Sequence, residues 1–134
     1  MKILVVDDIL ANRMMLGSIL TPLGHCDMAT NGVEAVEWVE AALAEEDPYD
    51  LILLDIMMPK MDGQAALQLI REKEASYHVT GAKESVIIMV TADSSEDAVT
   101  QAFFKGYCTD FLAKPIIRQV LLDKLREYGL ITDA

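Results

Sequence analysis

Asp55 closes the apolar run LILL at 51–54, and a carboxylate at that point needs an explanation. Buried and unpaired it is costly, so something must hydrate it or use it. Other residues with usable chemistry stand directly behind similar runs. Asp7 and Asp8 follow ILVV at 3–6, Thr91 follows VIIMV at 86–90, and Lys114 lies just past a short run at 108–112. Crowded carboxylates repel one another unless a cation intervenes. Oxygen-only ligands suit a hard divalent ion such as Mg2+ (or Mn2+) that keeps some of its water. One carboxylate can serve as the nucleophile that attacks phosphorus and becomes an aspartyl phosphate. A metal and a fixed lysine then neutralise the phosphoryl oxygens, while a hydroxyl donates to one of them.

Each piece has an ordinary explanation when taken alone. An Asp-Asp pair after a strand is usually a helix cap and a solvated neighbour. A threonine there is usually a turn residue, and a lysine before proline usually points to solvent. The argument rests on the combination, in order and at strand ends only.

The elements that must bring these residues together are legible as alternating periods. Apolar runs at 3–6, 25–30, 51–54, 86–90 and 108–112 read as strands, the first, third and fourth buried on both faces. Between them lie helical patterns. Residues 11–20 place Met15, Ile19 and Leu20 on one face, before Pro22 and Gly24 stop the helix. Asn31-Gly32 marks a turn, and Val33, Val36, Val39 and Leu43 recur at helical spacing. Ala66, Leu67 and Ile70 do the same, as does the segment 98–104. Pro115 opens a last helix with Val120, Leu121 and Leu125 on one side. Residues 74–84, EASYHVTGAKE, have little periodicity and read as a long loop. Five strands alternating with five helices predict an α/β fold, a parallel sheet covered on both faces. Ligands bind such sheets at the carboxyl ends of the strands, where all five candidate residues fall.

Composition narrows the function. A chain of 134 residues, 52% hydrophobic and 25% charged, fits one globular domain. The net charge of −11 disfavours direct nucleic-acid binding, which needs clustered Lys and Arg. No apolar run approaches the ~20 residues of a membrane span. The N-terminus lacks a signal-peptide core, so the expected location is the cytoplasm. Cys26 and Cys108 have no metal-type spacing and read as buried free thiols. His25 reads as a partly buried structural residue and His78 as solvated. The eight methionines and Trp38, Phe103 and Phe104 read as packing residues, with Met57, Met58 and Met61 free to line a contact surface beside the active edge.

The motifs VVDD, LLDIMMPKMDG, VTA and FLAKP, across nearly the whole chain, resemble the receiver domain of bacterial two-component response regulators. The resemblance implies a CheY-like, flavodoxin-like (βα)5 fold in three layers, with strand order 2-1-3-4-5. Because the chain ends soon after the last helix, the expectation is a single receiver domain over 1–134 with no output domain. Asp55 would be the phospho-acceptor. Asp7, Asp8, the Asp55 carboxylate and the Met57 backbone carbonyl would hold Mg2+. Thr91 and Lys114 would contact the phosphoryl group, and the Lys114–Pro115 bond would be cis. Thr91 and Phe111 would form the coupled switch, changing the face made by the helix at 98–104, the last strand and the last helix. Such domains are signalling switches, not metabolic enzymes. The stretches DDILANRMMLGSILTPLGH, ATNGVEAVE and GYCTDFLAKPI further resemble receivers of hybrid histidine kinases and phosphorelays. The implied donor is a sensor histidine kinase or a histidine phosphotransfer domain, and the output is phosphorylation-dependent binding of a protein target.

Two departures accompany the likeness. Pro22 breaks the end of the first helix, which in this family often docks the donor. Met57 and Asp93 occupy the positions that tune dephosphorylation, and an apolar Met57 cannot orient an attacking water. Other readings of the same residues are a phosphorelay shuttle or phosphate sink, and a phosphate-independent receiver-like binding module. A small-molecule aspartyl-phosphate phosphatase would want a second Asp where Met57 stands. A flavin binder would want a Ser/Thr/Gly-rich loop where Asp7-Asp8-Ile9-Leu10 stands.

Overall fold

Strand β1 (Lys2–Val6) is an interior strand of the sheet, with Ile3 to Val6 fully buried. It pairs in parallel with β2 (His25–Ala29) on one side and β3 (Leu51–Asp55) on the other. Beyond β3 come β4 (Val86–Thr91) and β5 (Asp110–Ala113), giving the parallel order β2-β1-β3-β4-β5. The chain is a computed structural model described for residues 1–56, 58, 60–91 and 107–132. The expected helix at 98–104, with Phe103 and Phe104, lies outside the described residues, as do Met57 and Asp93.

Alternation along the strands divides the core in two. Ile3, Val5, Leu51 and Leu53 point to the face covered by α1 (Leu10–Leu20) and α4 (Arg118–Glu127), against Leu16, Ile19, Leu20, Leu121 and Leu125. Leu4, Val6, Ile52 and Leu54 point to the other face. There α2 (Gly32–Ala44) supplies Ala35, Val39, Ala42 and Leu43, and α3 (Gly63–Ser76) supplies Ala66, Leu67 and Ile70. Three layers result, as the residue pattern predicts. Helix starts follow local chemistry. Asn31 caps α2 by accepting the Glu34 N–H at 2.9 Å, and Asp62 caps α3 by accepting the Ala65 N–H at 2.9 Å. A short 3-10 turn, Thr21–Leu23, ends α1 at Pro22.

Three expected stripes are buried apart from one marginal residue each. Met15, Val33 and Val120 are exposed, each at the margin of the stripe that is buried. Small residues, Ala35 and Ala42, let α2 lie close to the sheet, so the larger Val33 is left in the solvent-facing first turn. Trp38 is 41% exposed on the same helix. Of the described methionines only Met89 is in the fully buried core; Met14 is 66% exposed. His25 is exposed and pairs with Asp27 at 2.9 Å. Both cysteines are half-buried and outside any disulfide among the described residues, and burial pushes both thiols upward in pKa. Pro115 precedes α4 by three residues, with Ile117 as its extended N-cap.

The segment 74–84 is more ordered than its lack of periodicity suggests. Helix α3 runs through Ser76, and Gly81–Lys83 forms a second 3-10 turn. His78 is exposed and adopts a left-handed conformation, φ 61°.

Strand β5 is tied to α4 by Asp110. Its carboxylate accepts Lys124 Nζ at 2.9 Å, the Tyr128 hydroxyl at 2.8 Å and the Phe111 N–H at 2.7 Å. Burial works to raise the Asp110 pKa, but these donors, Lys124 foremost, hold it below the usual carboxylate value. Tyr128, desolvated and donating to Asp110, is pushed up to about 12. The lowered Asp110 pKa stabilises the fold above the ordinary carboxylate range, and that contribution is lost as pH falls through the folded value. The raised Tyr128 pKa contributes below its ordinary value and is lost as pH rises through about 12. Asp110→Asn is expected to cost about 1–2 kcal/mol near neutrality and to flatten the acid limb of stability. Urea midpoints across the acid range check this; parallel limbs in the two proteins would contradict it.

Candidate functional site

The candidate residues meet at the carboxyl edge of the sheet because β1, β3, β4 and β5 are parallel and in register there. Asp55 is the last residue of β3 and only 3% exposed. Asp7 and Asp8 leave β1 next to it, Asp7 buried and Asp8 exposed. One carboxylate oxygen from each of the three lies within 4.8 Å of the others.

Lys114 reaches into this cluster from just after β5. Its Nζ is 3.2 Å from Asp55 Oδ2 and 3.7 Å from Asp7 Oδ2. The backbone delivers it, since the Lys114 N–H donates to the Thr91 carbonyl at 2.7 Å. The Lys114–Pro115 peptide bond is cis. Thr91 ends β4 at 3% exposure, and its Oγ1 has no hydrogen-bond partner among the described residues. A buried hydroxyl without a partner carries a desolvation cost, which a ligand oxygen arriving at the edge would relieve.

Among the described residues the cleft thus sets the Lys114 ammonium against the carboxylates of Asp7, Asp8 and Asp55. Its hard oxygen donors and excess negative charge fit Mg2+ or Mn2+, with Asp7, Asp8 and Asp55 as the ligands on hand. Met57 lies outside the described residues, so its carbonyl is not among the atoms described. Phe111, on β5, is half-buried against the cluster beneath α2 and α3, together with Ile56, Met58 and Met61. The sequence-predicted Asp7, Asp8, Asp55, Thr91 and Lys114 are therefore brought to one edge, with Phe111 and Pro115 beside them on β5 and its exit.

Two groups of residues at the edge escaped the sequence reading. Asn12 and Arg13, early in α1, both bond to Asp7. The signal was present: a polar pair inside the apolar stretch LANRMMLGSIL, five and six residues past Asp7. Gly63 is the other. A Cβ there would lie 2.4 Å from the Asp55 carbonyl oxygen, so the start of α3 rests directly on the end of β3.

Known proteins share this arrangement. Residues 3–126 match the family described as the response regulator receiver domain. The chain is 36% identical over 132 residues, 98% of its length, to the sensory/regulatory protein RpfC of Xanthomonas campestris, but spans only 17% of that protein. It is 32% identical to the chemotaxis protein CheY of Treponema pallidum, covering 92% of this chain and 79% of that one. Among solved structures, the receiver domain of the Saccharomyces cerevisiae response regulator Ssk1, crystallised with the histidine phosphotransfer protein Ypd1, superposes with a TM-score of 0.79. The two share 28% identity over 99% of this chain and 93% of that one. The receiver domain of a Pseudomonas aeruginosa sensor histidine kinase, with magnesium coordinated in its active-site cleft, gives a TM-score of 0.76 at 28% identity over 95% of each chain. With the strand order, the acidic edge and these matches in agreement, the chain belongs to the response regulator receiver domains of two-component and phosphorelay signalling.

Proposed function

We propose that this chain acts as a phospho-accepting switch in the cytoplasm, with Asp55 as the acceptor. The observation that carries the reading is the buried Asp55 carboxylate held 3.2 Å from the Lys114 ammonium, where Asp7 and Asp8 add two further carboxylates. In the reaction, an Asp55 oxygen attacks phosphorus of a phosphohistidine donor. The new P–O bond forms as the P–N bond breaks, and the imidazole leaves with the electron pair and takes up a proton. Lys114, already on Asp55 Oδ2, moves its charge onto a phosphoryl oxygen. The Thr91 hydroxyl donates to another, gaining the partner it lacks. Asp7, Asp8, Asp55 and the Met57 carbonyl would hold Mg2+ or Mn2+. Bound there, the ion supplies neutralisation of the phosphoryl charge.

The acyl phosphate adds about −1.5 to −2 charges at the strand edge. Capture by Thr91 draws β4 toward the site, and Phe111 repacks on the neighbouring strand. The face formed by β5 and α4 is the output surface, read by a protein target; the helix expected at 98–104 lies outside the described residues. Signalling is the role, and metabolic turnover is not. No helix among the described residues is long and apolar enough to cross a membrane.

The proposed donor is a sensor histidine kinase or a histidine phosphotransfer domain. Support comes from the apolar residues flanking the acidic edge: Ile9, Leu10 and Met14 at the start of α1, and Ile117 and Val120 at the start of α4, are all exposed. A shuttle or phosphate-sink role uses the same site, and the likeness to a receiver crystallised with a phosphotransfer protein favours it as the second reading.

The test is intact mass after incubation with acetyl phosphate or phosphoramidate. A gain of about 80 Da, one phosphoryl group, is expected with Mg2+ present. It should vanish with EDTA and in Asp55→Asn. No adduct, together with no binding of beryllofluoride, would leave a phosphate-independent binding module and remove the assigned roles of Asp7, Asp8, Asp55 and Lys114.

A further inference from the structure

We infer that Asn12 is a positioning residue for Asp7, setting how that carboxylate is presented to the divalent cation; the inference rests on the reading of the cleft given above. Each oxygen of Asp7 meets a donor from the chain that follows it. Oδ1 accepts the Ile9 N–H at 2.9 Å, Oδ2 accepts Asn12 Nδ2 at 3.2 Å, and the carbonyl accepts the Arg13 guanidinium at 2.7 Å. Chemistry fixes the direction of the Asn12 bond, because only the NH2 end of an amide can donate to a carboxylate.

Oδ2 is also the Asp7 oxygen that lies 3.7 Å from Lys114 Nζ. Asn12 and Lys114 thus approach one atom from two elements. With Asn12 serving that oxygen, Lys114 stands closer to Asp55, at 3.2 Å. The bond therefore does two things. It orients a carboxylate with an oxygen within 4.8 Å of those of Asp8 and Asp55. It also leaves the ammonium on the acceptor.

Local structure gives asparagine no other reason to be there. It is the third residue of α1, and the helix's N-cap residue, Ile9, makes no side-chain cap bond. Asparagine is a poorer helix former than alanine, because its amide competes with the backbone. A residue unfavourable for its own helix, bonded to a buried carboxylate of the site, is the pattern expected of outer support around a metal ligand.

The test compares the natural protein with Asn12→Ala by two measurements. One is MgCl2 titration followed by isothermal titration calorimetry. The other is the urea midpoint without metal. Mg2+ binding is expected to weaken roughly 10-fold, as for other lost outer-shell partners. Metal-free stability is expected to stay level or rise slightly, since alanine suits the helix better. Equal Mg2+ affinity in the two proteins would overturn the inference. So would a matching loss of stability and affinity, which would make Asn12 an ordinary structural residue. Absence of Mg2+ binding in the natural protein would strike the reading of the cleft itself, and the inference with it.

Discussion

Glu74→Ala is expected to destabilise the domain by about 3–5 kcal/mol, the cost of removing one partner of a buried ion pair. Glu74 is 1% exposed, and both its oxygens are used. Oε1 sits 2.7 Å from Arg71 Nη1, and Oε2 accepts the Ser85 N–H at 2.7 Å. Arg71 in turn donates from Nε to the Tyr107 carbonyl at 2.7 Å and from Nη1 to the Ser85 carbonyl at 3.0 Å. This clasp joins α3, the connection into β4 and the segment leading to β5. Alanine would leave a largely buried guanidinium with only the longer contact to Glu84 Oε2, at 3.7 Å, and a buried N–H without an acceptor. Against a typical domain stability of about 5–15 kcal/mol the loss is large. Glu74→Gln keeps an acceptor for Ser85 and gives up the charge, so it should fall between. Urea unfolding of the three proteins measures the series. A change within about 0.5 kcal/mol for alanine, the range of ordinary surface substitutions, would show that the clasp contributes nothing.

Gly63→Ala is expected to slow phosphorylation by acetyl phosphate about 100-fold, with Asp55 itself untouched. Displacing a reacting group by about an ångström can cost that much. The added Cβ would sit 2.4 Å from the Asp55 carbonyl oxygen and 2.8 Å from Ile56 Cα. Both are backbone atoms of the segment that carries the acceptor, so no side chain can turn aside to make room. The Gly63 N–H also donates to the Ile56 carbonyl at 2.9 Å, which holds the two segments together. Either α3 lifts from the sheet or the end of β3 moves, and each shifts Asp55 relative to Lys114. Single-turnover rates of adduct formation at saturating Mg2+ separate this from weaker metal binding. Unchanged rates would mean that α3 yields without disturbing the acceptor.

Much of the molecule was legible in the residue order, for reasons of period and chemistry. Runs such as ILVV and LILL alternate with helical spacing, and buried parallel strands joined by helices have few ways to connect. Once the strands are parallel, residues that follow them must share one edge. That is why Asp7, Asp8, Asp55, Thr91 and Lys114 could be named together before any distance was known. Where each buried helical face ends was less legible. Each stripe was buried as expected except at its margin, where Met15, Val33 and Val120 are exposed, because neighbouring apolar residues satisfy the same period equally well.

Contacts across the sheet were decided by tertiary structure alone. Glu74 looked like the start of a polar loop, since a carboxylate's burial depends on partners distant in the chain, here Ser85 eleven residues away and Arg71 with its reach to Tyr107. Gly63 stood in the motif LLDIMMPKMDG without a role of its own, and only the approach of α3 to β3 shows that a side chain is excluded there. Asn12 carried a polarity signal without an address until Asp7 was seen beside it. Periodicity reports which way a residue faces within its own element; what it meets there depends on how the elements pack.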